Sequence, residues 1–458
     1  MRIGIDVGRA TSTAVLADAS GHVLAEAVVD SVPRTGHCVR RALAALGPLP
    51  APVGAVAVVT DLDRRLPRPR PVAVLRIAPG SHAALAPLAD WPVEARTALG
   101  GLTGLVAGGS AVTGGSLGPL DRDAVAAFAA RARDAGVRVF AVCAAGAPAR
   151  PGPELDAAAV VAATVPGASL SLSYETGSAG LRERESATVV NAALGGWAEE
   201  LVADCRGALR SARIAAPLYF ARDDGGLVSA EYFARHPVIA TAPASCCAAR
   251  GALARTGLDR AVVVDAGARS VRCLVVRDGE PERSTRPLPG PFGVRLALGA
   301  PEVVETDGTA DEATAWLPAS VPATVARLLE RVPGADVLYT GGRAETFGAP
   351  PATGDEAREE AATPFGRTPR LTDAARYAAT ADCRVELEQV ISAAGRAELD
   401  QSLDAVRDHA LSRCVAAGAA PGAVRIESLA HAPVAYLPAG VHRVTVRAAG
   451  APASGATP

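Results

Sequence analysis

One arrangement occurs twice in this chain: an apolar run ending in aspartate, a short glycine-containing turn, then a second apolar run. The first copy is RIGIDVGRATSTAVLAD (residues 2–18) and the second is VVVDAGARSVRCLVV (residues 262–276). Each reads as two strands joined by a tight turn. Small turn residues let several backbone N–H groups point at one anion, so the pair looks like two phosphate-binding hairpins facing a shared cleft. The second copy carries Ala268, Arg269 and Arg272 where such a turn is expected to be small and rich in hydroxyls. The alternative for both is an ordinary structural hairpin.

The pattern between and around the copies predicts an α/β fold. Strands are expected at 53–60, 72–77, 137–143 and 169–174. Helices are expected from 121, with Asp121 as cap and Gly136 as stop, and over 154–164. This β-α-β-α-β order implies a sheet flanked by helices. A long helix is expected at 184–209, a strand at 217–221 broken by Asp223-Asp224-Gly225-Gly226, and helices at 231–235, 244–257 and 321–331. A strand at 335–339 ends in Thr340-Gly341-Gly342-Arg343. Helices follow at 373–394 and 398–417, then strands at 424–429 and 442–447. Residues 64–71, 81–120, 287–318 and 349–372 read as loop, and 451–458 as a disordered tail.

With 458 residues and 49% hydrophobic content, the chain is long enough for two or three cored domains. The net charge is −2 and no basic stripe stands out, which argues against nucleic acid as a partner. All 46 basic residues are arginine, so neither a lysine Schiff base nor a P-loop lysine operates here. Eight scattered cysteines form no C-x-x-C pair, so reduced thiols and a cytoplasmic location are expected. No secretory signal or membrane span is read.

In the first hairpin Asp6 is placed to hold a metal-bound water. Gly8 permits close approach, and Thr11, Ser12 and Thr13 offer hydroxyls. Arg9 pairs with phosphate on one reading and fills the pocket on another. The second hairpin places Asp265 and Gly267 equivalently. Gly341 and Gly342 either let backbone lie flat against a ligand or form a plain turn. Asp223 and Asp224 either position a metal or a substrate amide, or form a solvated turn. Cys246 and Cys247, at the start of a helix, are nucleophile candidates or small packing residues. No histidine spacing marks a zinc site.

Taken together, several stretches resemble the hydantoinase/oxoprolinase family, specifically its shorter N-methylhydantoinase A-like subunits. They are residues 3–18, LSLSYETGSAGLRERESATVVNAAL (170–194), APLYFARDDGGLVSAEYFARHPV (216–238), ARGALARTGLDRAVVVDAGARS (249–270), VLYTGGRAE (337–345) and the closure around PVAYLPAG (433–440). The resemblance implies an actin/sugar-kinase/Hsp70-like (ribonuclease H-like) fold, with two lobes around a nucleotide cleft: 1–180 and 181–450. It implies ATP and Mg²⁺, ATP-coupled opening of a cyclic amide of the hydantoin or 5-oxoproline type, and a hydantoinase B-like partner subunit or a homo-oligomer. It assigns Asp6, Asp265 and Asp224 to catalysis and Asp6 and Asp265 to the metal. Gly8, Arg9, Thr11, Ser12, Gly267, Ser270, Gly341 and Gly342 are assigned to the nucleotide.

Departures from the family pattern stand against full activity. Arg9, Ala10 and Thr13 replace Gly, Thr and Asp in the first loop. Ala268, Arg269, Val271 and Arg272 replace the small and hydroxylated residues and the acid of the second. Each donor lost from a preorganised site costs about 2.7–4 kcal/mol of transition-state stabilisation. Three readings follow: an enzyme with a remodelled nucleotide site, a non-catalytic homologue that binds a partner or ligand, or an ATP-independent activity.

Overall fold

The computed structural model describes residues 1–62, 69–80, 86–176, 180–268, 270–284, 286–307, 320–343 and 371–455. Arg269 and most of the expected loop at 349–372 lie outside the described residues.

The first copy folds as expected. Arg2–Val7 pairs antiparallel with Thr11–Ala17, placing Asp6 opposite Thr13, and pairs in parallel with Ala55–Val59. The second copy repeats this plan. Ala261–Ala266 pairs antiparallel with Ser270–Arg277, placing Asp265 opposite Arg272, and pairs in parallel with Asp336–Thr340. In each case the aspartate is the last residue but one of a strand whose central residues are buried, because valine and isoleucine fill both faces of a central strand.

The two hairpins belong to different sheets. The first lies in a nine-stranded sheet that also holds Leu218–Ala221, Leu227–Ser229, Cys383–Ser392, Arg425–Pro433 and Val441–Gly450. This sheet draws strands from both sides of residue 180. The second hairpin lies in a five-stranded sheet with Glu280–Pro281, Val303–Asp307 and Asp336–Thr340. A third, wholly parallel sheet of four strands is built from Thr103–Val106, Ala73–Ile77, Val139–Ala144 and Ser169–Leu172. It is the β-α-β-α-β unit read from sequence, and Asp121 caps its first helix by accepting from Ala124 N. The 31-residue helix Leu181–Ser211 packs on this sheet through Val189, Val190, Ala193 and Leu194. The architecture is mixed α/β with parallel pairing in each of the three large sheets.

The helix Asp373–Thr380 packs against both the first hairpin and the helix Ala244–Thr256. Two glycines permit this. A Cβ on Gly4 would lie 2.0 Å from Ala375 O, and one on Gly251 would lie 2.0 Å from Asp373 O.

Three expectations are corrected. The helix expected over 373–394 stops at Thr380, and Cys383–Ser392 is a strand. Cys383, Val385 and Leu387 point inward while Arg384, Glu386 and Glu388 alternate outward, a period of two that marks a half-buried strand. The tail is also anchored over its described part. Ala453 N donates to Gly418 O and Ala453 O accepts from Tyr219 Oη at 2.8 Å. The stretch 81–120, read as loop, contains the helix Val93–Ala98 and the strand Thr103–Val106. No helix among the described residues is long and apolar enough to cross a membrane.

Candidate functional site

Both hairpin turns open onto one cavity of about 270 Å³. The first turn contributes Asp6 and Gly8 to Thr11; the second contributes Asp265, Gly267, Ala268, Ser270 and Arg272. The turn after Asp336–Thr340 adds Thr340 to Arg343, and the helix Ala244–Thr256 adds its first residue. Strand ends bring these pieces together because each aspartate, and Thr340, sits at the last paired position of a parallel strand.

Gly341 is the tightest of these residues. Its φ is +92°, and a Cβ would stand 2.7 Å from both Ala266 O and Asp265 Oδ1. Arg343 N donates to Ala266 O, which ties this turn to the second hairpin. Gly342 faces the first hairpin, with Thr11 Oγ1 3.7 Å from a Cβ placed there.

The electrostatics centre on three carboxylates. Burial, then Asp61 and Asp265, push the Asp6 carboxyl up to about 8, and its enclosed Oδ1 has no hydrogen-bond partner among the described residues. Asp265 is also raised, chiefly by burial, although it accepts from Ser245 Oγ at 2.7 Å. Asp61 accepts from Ala244 N at 3.0 Å, capping the helix, and from Arg272 Nη1 at 2.7 Å. Arg272 also reaches Ser245 Oγ at 3.3 Å and Glu305 at 3.4 Å. Its guanidinium thus lies on the cleft wall, paired with Asp61 and Glu305.

Arg272 also borders a second cavity of about 390 Å³, whose walls include Asp223, Ser245, Cys246, Leu288 and Leu296. Burial pushes the Asp223 carboxyl up to about 7 while it accepts from Thr241 Oγ1 and Ala242 N.

Residues 184–299 match the model of the family described as hydantoinase/oxoprolinase. Two solved structures are similar over nearly the whole chain. One is an acetone carboxylase in a nucleotide-free structure, from work on ATP-dependent acetone carboxylation. It is 11% identical, with a TM-score of 0.66 and coverage of 98% of this chain and 88% of that one. The other is the ATP-dependent caprolactamase from Pseudomonas jessenii, 15% identical, with a TM-score of 0.68 and coverage of 98% and 87%. Over residues 184–299 the chain is similar to the hydantoinase/oxoprolinase family. At these identities the likeness to the two structures is one of fold. No curated protein matches the chain.

Of the residues that family resemblance assigned, Asp6, Gly8, Arg9, Thr11, Asp265, Gly267, Ser270, Gly341 and Gly342 all line the cleft. Ser12 does not. It is fully buried beneath the turn, where its hydroxyl pairs with Ser31 Oγ at 2.7 Å and Ser31 in turn donates to Gly8 O. Ser12 braces the turn because alternation along the strand sends its side chain to the opposite face. Asp224 is also elsewhere. Its carboxylate accepts from Gly226 N and lies in ion pairs with Arg222 (3.2 Å) and Arg283 (3.4 Å), which hold it ionised well below the usual range. Its neighbour Asp223 is the member of the pair that faces a cavity. Cys246 and Cys247 are buried, with thiols pushed far up by burial, so they behave as packing residues.

Sequence reasoning missed Asp61 and Ser245. The signal for Asp61 was present: AVAVVTD (55–61) is another apolar run that leads to a carboxylate, with the same grammar as IGID and VVVD.

Proposed function

We propose that the chain binds the polyphosphate of ATP between its two hairpin turns and acts on a cyclic amide held beyond Arg272. The observation that carries this is the convergence of both turns, Thr340–Gly342 and one helix N-terminus on a single cavity. Fold-level analogy with ATP-dependent relatives adds to it but does not decide it. In the family's two-lobed fold, each hairpin would belong to one lobe.

The cleft fits a nucleotide in kind. Apart from Arg9 and Arg343, the described residues of the three turns that line the cleft are small or hydroxylated, and their backbone N–H groups supply donors without bulk. Gly8, Thr11, Gly267 and Ser270 would hold the phosphates, and Gly341 and Gly342 would lie against the nucleoside. ATP, when bound, supplies the phosphoryl group that activates the amide oxygen. Asp223, raised to about 7 by burial and so part-protonated near neutral pH, would hold or take up a proton beside the amide in the adjoining cavity. Arg272, between the two cavities, would stand where charge develops between phosphate and amide.

Mg²⁺ does not fit this donor set as it stands. The Arg272 guanidinium already occupies Asp61, and Ser245 already occupies Asp265. Among the described residues no group of three His, Cys, Asp or Glu side chains is arranged to hold a metal ion. We therefore read Arg272 as a resident cation that takes the place of a metal beside Asp61.

The Arg272–Asp61 pair also favours a second reading, in which the cleft is closed by its own ion pairs and the chain serves as a binding subunit. ADP release in the presence of hydantoin, 5-oxoproline or caprolactam separates the two. Release stimulated by one of them supports catalysis. Nucleotide binding without stimulated release supports the binding subunit.

A further inference from the structure

A third cavity, of about 480 Å³, lies beyond Leu298, a residue that lines both it and the 390 Å³ cavity. It is walled by Ala147–Pro151, Tyr174–Thr176, the strand Cys383–Ser392 and the strand Val441–Gly450. Six arginines and three glutamates line it, a surplus of three positive charges.

The glutamates are already committed. Glu175 pairs with Arg235 at 2.9 Å. Glu386 pairs with Arg283 and with Arg447, the latter at 2.7 Å. Glu388 pairs with Arg443 at 2.6 Å. Arg222 is likewise committed to Asp224. Arg413 is different. Its Nη2 donates to Glu175 O at 3.1 Å and to Tyr232 Oη at 3.0 Å, and no carboxylate among the described residues lies within ion-pair distance of it. Beside it sits His236, 5% exposed, its enclosed Nδ1 without a hydrogen-bond partner among the described residues. Burial, then Arg413, Arg235 and Arg222, lower this imidazole to about 3, so the ring is neutral and adds no charge. Ile239, Leu298 and Val390 supply apolar wall next to these groups.

A neutral polar ring, a tyrosine hydroxyl and the Arg413 guanidinium they adjoin, set against apolar wall, complement one negative charge on a short apolar body. Arg286, exposed on the same wall, lies apart from this group in the sequence and is not part of it. We infer that this cavity binds a small organic monocarboxylate, seated on Arg413 and Tyr232 with its chain along Ile239 and Leu298. A phosphate dianion fits less well, because Arg222, Arg283, Arg443 and Arg447 would have to leave their carboxylates to add a second charge beside Arg413.

Calorimetric titration of the full chain with valerate tests this, with valeramide and inorganic phosphate as comparison probes. Valerate is expected to bind one to one and valeramide not to bind. A charged hydrogen bond is lost in Arg413→Gln, so affinity should fall roughly ten- to hundredfold. Tyr232→Phe, which keeps the ring, should weaken it by a smaller factor. ATP binding should be unchanged in both variants, which separates this site from the cleft. Absence of valerate binding to the native chain at millimolar concentration overturns the proposal. So does equal binding of valerate and valeramide, or undiminished binding in Arg413→Gln. Tighter binding of phosphate than of valerate overturns the carboxylate assignment.

Discussion

Arg272 and Asp61, 211 residues apart in sequence, meet at 2.7 Å on the wall between two cavities. The pair ties the second hairpin to the segment after Ala55–Val59, the strand that pairs with the first hairpin, and it offsets carboxylate charge on the cleft wall. Without it, Asp61 would lose its guanidinium partner beside the buried carboxyls of Asp6 and Asp265.

Arg272→Ala therefore leaves partly buried carboxylates uncompensated. The variant is expected to lose about 1–3 kcal/mol of stability in urea unfolding. It should also gain what the native chain lacks: a melting temperature that rises on addition of Mg²⁺, since three carboxylates without a guanidinium attract a hard divalent cation. Thermal melts of both proteins with and without Mg²⁺ check this. Equal Mg²⁺ response in the two would contradict the role given to Arg272.

Asp6 gives the stability a pH dependence of definite sign. Its folded-state value, about 8, lies above the usual carboxylate value, so the folded state binds the extra proton. Its contribution is full below about 4 and is lost as pH rises through about 8. Asp6→Asn removes this. The stability advantage of the variant over the native chain should grow from pH 4 to pH 8 and level off above it. Denaturant unfolding at four or five pH values measures it, and a difference independent of pH would contradict the prediction.

Gly341 is held at a positive φ with no space for a side chain. Gly341→Ala is expected to cost about 1–3 kcal/mol, and to displace the turn from Asp265. Loss of stability together with loss of nucleotide affinity is the expected outcome. An unchanged unfolding midpoint would mean that the turn tolerates a Cβ.

All eight cysteines are free and buried. Thiol titration with a bulky disulfide reagent should find almost no fast-reacting group in the native chain and eight after unfolding. A single fast thiol at Cys246 would reopen the nucleophile reading set aside above.

The hairpins were legible because strand, aspartate and glycine turn are local features, and a buried run of valines leaves few other folds. The strand at Cys383–Ser392 was not, because the Ala-rich helix just before it runs into an alternating stretch with no glycine or proline between them until residue 395. Cleft membership was legible for residues inside the turns. It failed for Ser12, where one step along a strand reverses the face, and for Asp224, whose arginine partners include the distant Arg283. Asp61 carried a local signal, but its partner Arg272 lies 211 residues away. Ser245 carried none, because its role arises from side-chain pairing with Asp265 and Arg272 across the fold.

The central claim is that the cleft between the two turns takes ATP, with Arg272 in place of a metal. Calorimetric titration of ATP into the native chain and into Ala10→Trp, in EDTA and in Mg²⁺, tests it most directly. Ala10 is exposed at the lip of the cleft, so the indole blocks entry without disturbing the core. The account predicts one-to-one binding to the native chain that persists in EDTA and disappears in Ala10→Trp. No heat at millimolar ATP, binding only with Mg²⁺, or undiminished binding to Ala10→Trp would contradict it.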